Sequence, residues 1–194
     1  MTRDDLIQQL RAISPTEFVE NHIFDRVPAI FLGDRALFVN WKRMLAKSLE
    51  VDPACITVVG SAATGASLNP SKNFKVFDEG SDVDVAVISY HHFTLAWRYL
   101  RMNAARRLSV DNRTRNAWDE HVHRYIYWGT IATDRLLGVL PFGLAWLKAR
   151  AAIAEAPPTV GRSVNLRIYA DYDSLRAYHV HGIRSLREQE KGPI

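Results

Sequence analysis

Two short segments rich in β-branched residues set the strongest limits on the fold of this chain. The first, Cys55–Val59, is a short run rich in β-branched residues that ends at Gly60, and the second, Asp82–Ile88, begins with strict polar–apolar alternation. The β-branched run predicts a buried strand, and the alternation predicts a strand with one buried face. Segments with helical periodicity precede and follow both strands. We therefore predict an α/β (α+β) fold, with a short mixed β-sheet flanked by helices.

The order of these patterns predicts a single domain over residues 1–194. A chain of this length buries a core without disulfides or structural metals. In a third strand, Val164–Tyr169, alternation sets Asn165, Arg167 and Tyr169 on one face, which we expect to point outward. We expect an N-terminal helical part at residues 1–50 and a sheet core formed by residues 55–88 and 162–170. A helical insertion is expected at residues 93–155, and a C-terminal helix at residues 171–190.

Composition limits the cellular compartment and the class of binding partner that we expect for this chain. The single cysteine, Cys55, excludes an internal disulfide and is typical of reducing compartments. The N-terminus carries charges without the apolar segment of a secretory signal, and the longest apolar run is too short for a membrane span. We therefore expect a cytoplasmic protein with no membrane partner. The formal charge of +4 is weak evidence for a polyanionic partner, and residues 98–115 hold six arginines against one acid. A solvated helix face explains that stretch equally well.

Asp82 and Asp84 form a carboxylate pair in the second strand. Alternate residues of a strand point to the same face, so the two carboxylates lie roughly 6 to 7 Å apart. Like charges at that separation repel unless a cation lies between them. Mg²⁺ fits, because it prefers carboxylate oxygens and keeps coordination sites open for phosphate. The alternative is a solvent-facing strand end, in which Asp82 belongs to a turn.

Gly60 and Ser61 follow the first strand and open a segment of small residues. Glycine lets a phosphate approach the backbone, and the start of a helix offers free N–H groups and the positive end of a dipole. The hydroxyl of Ser61 adds another donor. We therefore predict a phosphate site at this turn. The alternative is a tight strand–helix connection that requires glycine for steric reasons alone.

Taken together, the strand ending in Gly60-Ser61, the small-residue turn, the loop and the Asp82-x-Asp84 strand resemble the core of the polymerase-β-like nucleotidyltransferase superfamily. The resemblance covers residues 55–88. It implies an enzyme that uses Mg²⁺ (or Mn²⁺) and transfers a nucleoside monophosphate from a nucleoside triphosphate to an acceptor hydroxyl. It further implies that Gly60 and Ser61 hold the triphosphate, and that Asp82 and Asp84 are catalytic and bind the metal. From their place in the loop, we add Lys72 and Lys75 as candidate phosphate contacts.

The chain departs from that family at the strand that normally supplies a third carboxylate. Its outward positions are Asn165, Arg167 and Tyr169, of which only Asn165 has an oxygen suited to a metal. We take Asn165 as a candidate metal ligand and expect Arg167 to favour phosphate. A second hypothesis follows: a catalytically weak nucleotide- or RNA-binding module of the same fold, acting as a sensor or regulator. The family resemblance suggests RNA or a protein as acceptor, and a partner from a neighbouring gene, as in toxin–antitoxin or phage-defence pairs.

Overall fold

The structure is a computed structural model that describes residues 3–190; the predicted domain's residues 1–2 and 191–194 lie outside that range. A four-stranded mixed sheet forms its centre, as predicted, with helices on both sides. The strands are β1 (Ile56–Val59), β2 (Val83–Ile88), β3 (Thr130–Ala132) and β4 (Val164–Tyr169). The α-helices are α1 (Arg3–Ala12), α2 (Pro15–Val19), α3 (Arg35–Leu49), α4 (Ser61–Thr64), α5 (Tyr90–Met102), α6 (Asn112–Glu120), α7 (Gly143–Ala154) and α8 (Tyr172–Glu190).

The strands lie in the order β1-β2-β4-β3, and only β2 and β4 are parallel. Parallel neighbours need a long crossover, and the segment from α5 to α7 supplies it. The register sets Asp84 beside Val59 on one side and beside Asn165 on the other. The last residue of β1 and the first residues of β2 and β4 therefore meet at one edge of the sheet.

The alternation along β2 and β4 divides the core into two layers. On one face, residues such as Val85 and Leu166 pack against α3, α5, α6 and α7. On the other face, Ala86, Ile88 and Tyr169 pack against α1, α2 and α8. Asp84 lies on this second face, since alternate residues of a strand share a side. The carboxylate thus stands where the layer of α8 meets the edge of the sheet.

Capping residues fix the starts of the helices around this edge. Ser14 accepts the Glu17 N–H ahead of α2, and Asp34 accepts the Leu37 N–H ahead of α3. At the start of α8, the Asp171 carboxylate accepts the Ser174 N–H at 2.7 Å. Side-chain oxygens at these positions satisfy N–H groups that have no partner within the helix. Asp171 is therefore a helix cap.

Three details of the sequence prediction were wrong. The segment 93–155 is not purely helical, because it contains β3, which completes the sheet beside β4. The imidazole of His121 supports this strand by accepting the Ala132 N–H at 2.8 Å. The second strand begins at Val83, so Asp82 precedes it. The face with Arg167 and Tyr169 does not point outward, because α8 covers it and Tyr169 is buried.

None of the helices among residues 3–190 combines the length and the apolar character that a membrane span requires.

Candidate functional site

A cavity of about 220 Å³ opens where Gly60, Asp84 and Asn165 meet, and its lining continues to Arg167. Three separate elements bring these residues together: the turn after β1, the start of β2 and the start of β4. The sequence predicted the first three as site residues. The structure adds the helix α8, which supplies the opposite wall through Tyr178 and His179.

Gly60 lies in close contact with the carboxylate of Asp84. A Cβ atom at this position would lie 3.0 Å from Asp84 Oδ2, so the carboxylate would have to shift by a few tenths of an ångström. The backbone has φ of +65° and ψ of −154°, a conformation essentially restricted to glycine. The backbone therefore requires glycine here, and the close contact makes any larger residue displace the carboxylate.

Asp84 keeps one side open to solvent, while protein atoms surround the rest of its carboxylate. The Asn165 side-chain amide donates to Asp84 Oδ1 at 3.3 Å. Burial raises the pKa of the Asp84 carboxyl above its ordinary value, and the negative charge of Asp82 adds to that effect. Asn165, Arg167 and Lys72 act in the opposite direction. A carboxylate in this setting gains from a nearby cation, because a positive charge relieves the cost of its desolvation.

The oxygen atoms at this edge suit a hard divalent cation. Asp82 is exposed just before β2, and its charge acts on Asp84, so the two carboxylates are neighbours. Carboxylate oxygens are the ligands that Mg²⁺ prefers. Asn165 now presents its N–H to Asp84, so its amide must turn over before its oxygen faces the same cation. Among residues 3–190 no group of three or more His, Cys, Asp or Glu side chains has a metal-binding arrangement.

The predicted phosphate contacts differ in how close they lie to the carboxylate pair. Ser61 begins α4, which is only one turn long, and lies next to Gly60. Lys72 acts electrostatically on Asp84, so its charge is near the carboxylate pair. Lys75 instead pairs with Asp78, with 3.0 Å between Nζ and Oδ2. The geometry therefore favours Lys72 over Lys75 as a cation that reaches the site.

Arg167 lies two residues beyond Asn165 on β4 and is surrounded by tyrosines. Its Nη1 donates to the Tyr178 hydroxyl at 2.5 Å, and its guanidinium carbon lies 5.2 Å from the ring centres of both Tyr125 and Tyr178. Burial disfavours the charge on this guanidinium, but the surrounding tyrosines outweigh that effect and its pKa lies above the ordinary value. The cavity therefore holds a permanent positive charge.

His179 and Asp134 were not predicted as site residues, although both line the cavity. Burial, reinforced by the charge of Arg167, lowers the pKa of His179 to about 4, so its imidazole is neutral at pH 7. Asp134 follows β3, where the Thr133 hydroxyl donates to the Leu166 carbonyl and keeps the chain beside β4. No local pattern identifies either residue, because each depends on how α8 or β3 packs on the sheet.

The arginine-rich stretch is partly used inside the fold. Arg107 pairs with Asp119, with 3.0 Å between Nη2 and Oδ2, and Arg115 donates to backbone carbonyls of the preceding turn. Arg98 and Arg113 are exposed. The surface of α5 and α6 therefore keeps positive charge available for a polyanion, although less than the count of arginines suggests.

Comparisons with protein-family models, with curated proteins and with solved structures give no match to this chain.

Proposed function

We propose that the chain is a Mg²⁺-dependent nucleotidyltransferase that moves a nucleoside monophosphate from a nucleoside triphosphate to an acceptor hydroxyl, with pyrophosphate as the second product. The fold would then be a nucleotidyltransferase fold. One observation carries the proposal: the glycine turn after β1 closes directly on Asp84, the second carboxylate of the Asp82-x-Asp84 pair. This juxtaposition sets a backbone open to phosphate beside ligands suited to Mg²⁺.

In the proposed reaction, an oxygen of the acceptor hydroxyl attacks the α-phosphorus. The new P–O bond forms as the bond from that phosphorus to the pyrophosphate oxygen breaks, and the hydroxyl proton passes to solvent. Asp82 and Asp84 would hold Mg²⁺, which when bound neutralises charge on the triphosphate and orients the reacting groups. Gly60 and Ser61 would admit the triphosphate through backbone N–H groups, and Lys72 would add positive charge beside it.

Asn165 has a positioning role in this proposal. Its amide holds Asp84 Oδ1 at 3.3 Å, which limits the orientations open to the carboxylate. With the amide reversed, its oxygen would become a further ligand on the same cation. Either way, Asn165 stands on the strand that carries an acid in the family that the sequence resembles, and it supplies no negative charge.

Arg167 favours a second candidate function, a nucleotide- or RNA-binding module of the same fold that transfers nucleotides poorly and acts as a sensor or regulator. A half-buried guanidinium near Asp84 lowers the net negative charge of the site and so weakens the binding of a cation, while it strengthens the binding of phosphate. The two candidates share the nucleotide and differ in whether a product forms.

A labelling experiment separates them. The protein is incubated with each α-³²P-labelled nucleoside triphosphate, Mg²⁺ or Mn²⁺, and total cellular RNA or protein. We expect a labelled acceptor with the wild type and none with the Asp82→Ala/Asp84→Ala variant. Asp78→Ala is the matched control, because this carboxylate pairs with Lys75 outside the cavity lining. Triphosphate binding without a labelled acceptor would reject the transferase and support the binding module.

A further inference from the structure

The cavity beside Asp84 holds one feature that the proposed transfer does not use: the half-buried cation of Arg167 in its lining. Arg167 and Asn165 are two residues apart on β4, so their Cα atoms lie roughly 6 to 7 Å apart along the strand, and Asn165 carries the amide that touches Asp84. The cavity therefore runs inward from the carboxylate, along the sheet and beneath α8, to Arg167.

Arg167 has hydrogen-bond and aromatic contacts, but no carboxylate forms an ion pair with it. A guanidinium has five N–H donors. The Tyr178 hydroxyl accepts one of them, and two tyrosine rings lie over the group. Within residues 3–190, no ion pair joins Arg167 to a carboxylate. Asp84 acts on it only as a neighbouring charge. Partial burial of a cation with no carboxylate in direct contact is costly, so the site gains free energy when an anion binds to the guanidinium.

His179 provides an independent sign of a missing ligand. Its Nε2 is buried and has no hydrogen-bond partner, and the residue lines the same cavity as Arg167. Buried polar atoms in native proteins nearly always have a partner, either protein or a bound species. A neutral imidazole can donate one N–H, so His179 can add a hydrogen bond to an oxyanion that Arg167 attracts.

We propose that this cavity is a phosphate subsite, in which the Arg167 guanidinium and the His179 Nε2–H bind the oxygens of one phosphate group. Arginine suits this role, because its planar fork of donors matches two phosphate oxygens at once. The phosphate belongs either to a nucleotide or to the free inorganic ion. The cavity would bind it whether or not the chain transfers nucleotides, so the subsite and the transferase stand or fall separately.

Isothermal titration calorimetry in EDTA tests the subsite without any metal or transfer. The probes are inorganic phosphate, AMP and adenosine. Inorganic phosphate and AMP bind to the wild type, and adenosine does not. Tighter binding of AMP identifies a nucleotide phosphate as the ligand, and equal binding identifies the free ion; both results support the site. Adenosine binding as tightly as AMP, or no binding of either phosphate, would overturn it.

Three variants locate the bound phosphate. Arg167→Gln weakens binding about 10- to 100-fold, as expected for loss of charge-assisted hydrogen bonds. Asp84→Asn strengthens binding roughly 3- to 10-fold, because it removes a repelling charge a few ångströms from the anion. Arg43→Gln is the matched control and leaves binding unchanged, since Arg43 is exposed on α3 and does not line the cavity. Equal losses for Arg167→Gln and Arg43→Gln would contradict the assignment.

A measurement on the wild type guards against misfolding of the Arg167→Gln variant. In a ¹⁵N NMR titration with inorganic phosphate, the ring-nitrogen resonance of His179 shifts as its Nε2–H gains an acceptor. The ring of His181, which stacks on Trp128 at 4.7 Å outside the cavity lining, serves as the internal reference. A His179 resonance that stays unchanged at saturating phosphate would reject the subsite.

Discussion

Replacement of Gly60 by alanine perturbs the candidate site most selectively. The new Cβ would lie 3.0 Å from Asp84 Oδ2, closer than ordinary contact, and the φ of +65° with ψ of −154° is unfavourable for any residue with a side chain. Such backbone conformations cost about 1 to 3 kcal/mol. For a domain of this size, each kcal/mol lowers Tm by roughly 2 to 4 °C. We expect Gly60→Ala to lower Tm by about 2 to 12 °C and to displace Asp84.

Gly33→Ala is the matched control for this experiment. Gly33 also has a positive φ, +87°, but nothing lies within 4 Å of the Cβ that alanine would add. It should lose stability from the backbone alone and keep full nucleotidyl transfer, whereas Gly60→Ala should lose transfer by at least about 100-fold. Differential scanning calorimetry and the labelling assay measure the two effects. If both variants kept transfer at the wild-type rate, the argument that Gly60 makes room for a catalytic carboxylate would be refuted.

Three further predictions concern charged groups, two of them at the site and one on the α5–α6 surface. Lys72→Met should weaken triphosphate binding about 10-fold in calorimetry, while Lys75→Met should not, because only the first lysine acts on the carboxylate pair. Since burial lowers the pKa of folded His179 to about 4 from 6.5, its contribution of about 3 kcal/mol to stability is complete above pH 6.5 and is lost as the pH falls towards 4. Binding of single-stranded RNA should weaken with salt, and Arg98→Gln with Arg113→Gln should reduce the log–log slope by about 1.4.

Each of these predictions has a contradicting result. Equal triphosphate affinities of the Lys72→Met and Lys75→Met variants would contradict the assignment of Lys72 to the triphosphate. For His179, urea titrations at pH 7 and pH 5 should show less pH dependence in His179→Gln than in the wild type, and identical curves would exclude its role. An RNA affinity that does not change with salt would identify the α5–α6 surface as an ordinary solvated one.

The parts of the fold that could be predicted from sequence are those with local causes. The β-branched run before Gly60 and the alternation around Asp84 predicted β1 and β2, and the alternation of residues 164–169 predicted β4. Period and capping act over a few residues, so one sequence reveals them. The same holds for the site's outer edge, where the Gly60 turn and Asp84 meet as strands paired in register require.

The inner part of the site could not be predicted, because long-range packing creates it. The strand β3 has only three residues and depends on pairing with β4 and on the imidazole of His121. The alternation of β4 predicted which face of the sheet Arg167 lies on. It could not predict whether solvent or a helix covers that face. Only the packing of α8 brings Tyr178 and His179 to that face and encloses the cavity.

The fate of the two labels on the triphosphate tests the central proposal most directly. Parallel reactions with α-³²P- and γ-³²P-labelled nucleoside triphosphate follow label in the acceptor and in pyrophosphate. Nucleotidyl transfer predicts α-label in the acceptor, γ-label in pyrophosphate in equal molar amount, and neither product with Asp84→Asn. Label from the γ-phosphate in the acceptor, or α-labelled acceptor that persists in Asp84→Asn, would contradict the assignment of Asp82 and Asp84 as the catalytic pair.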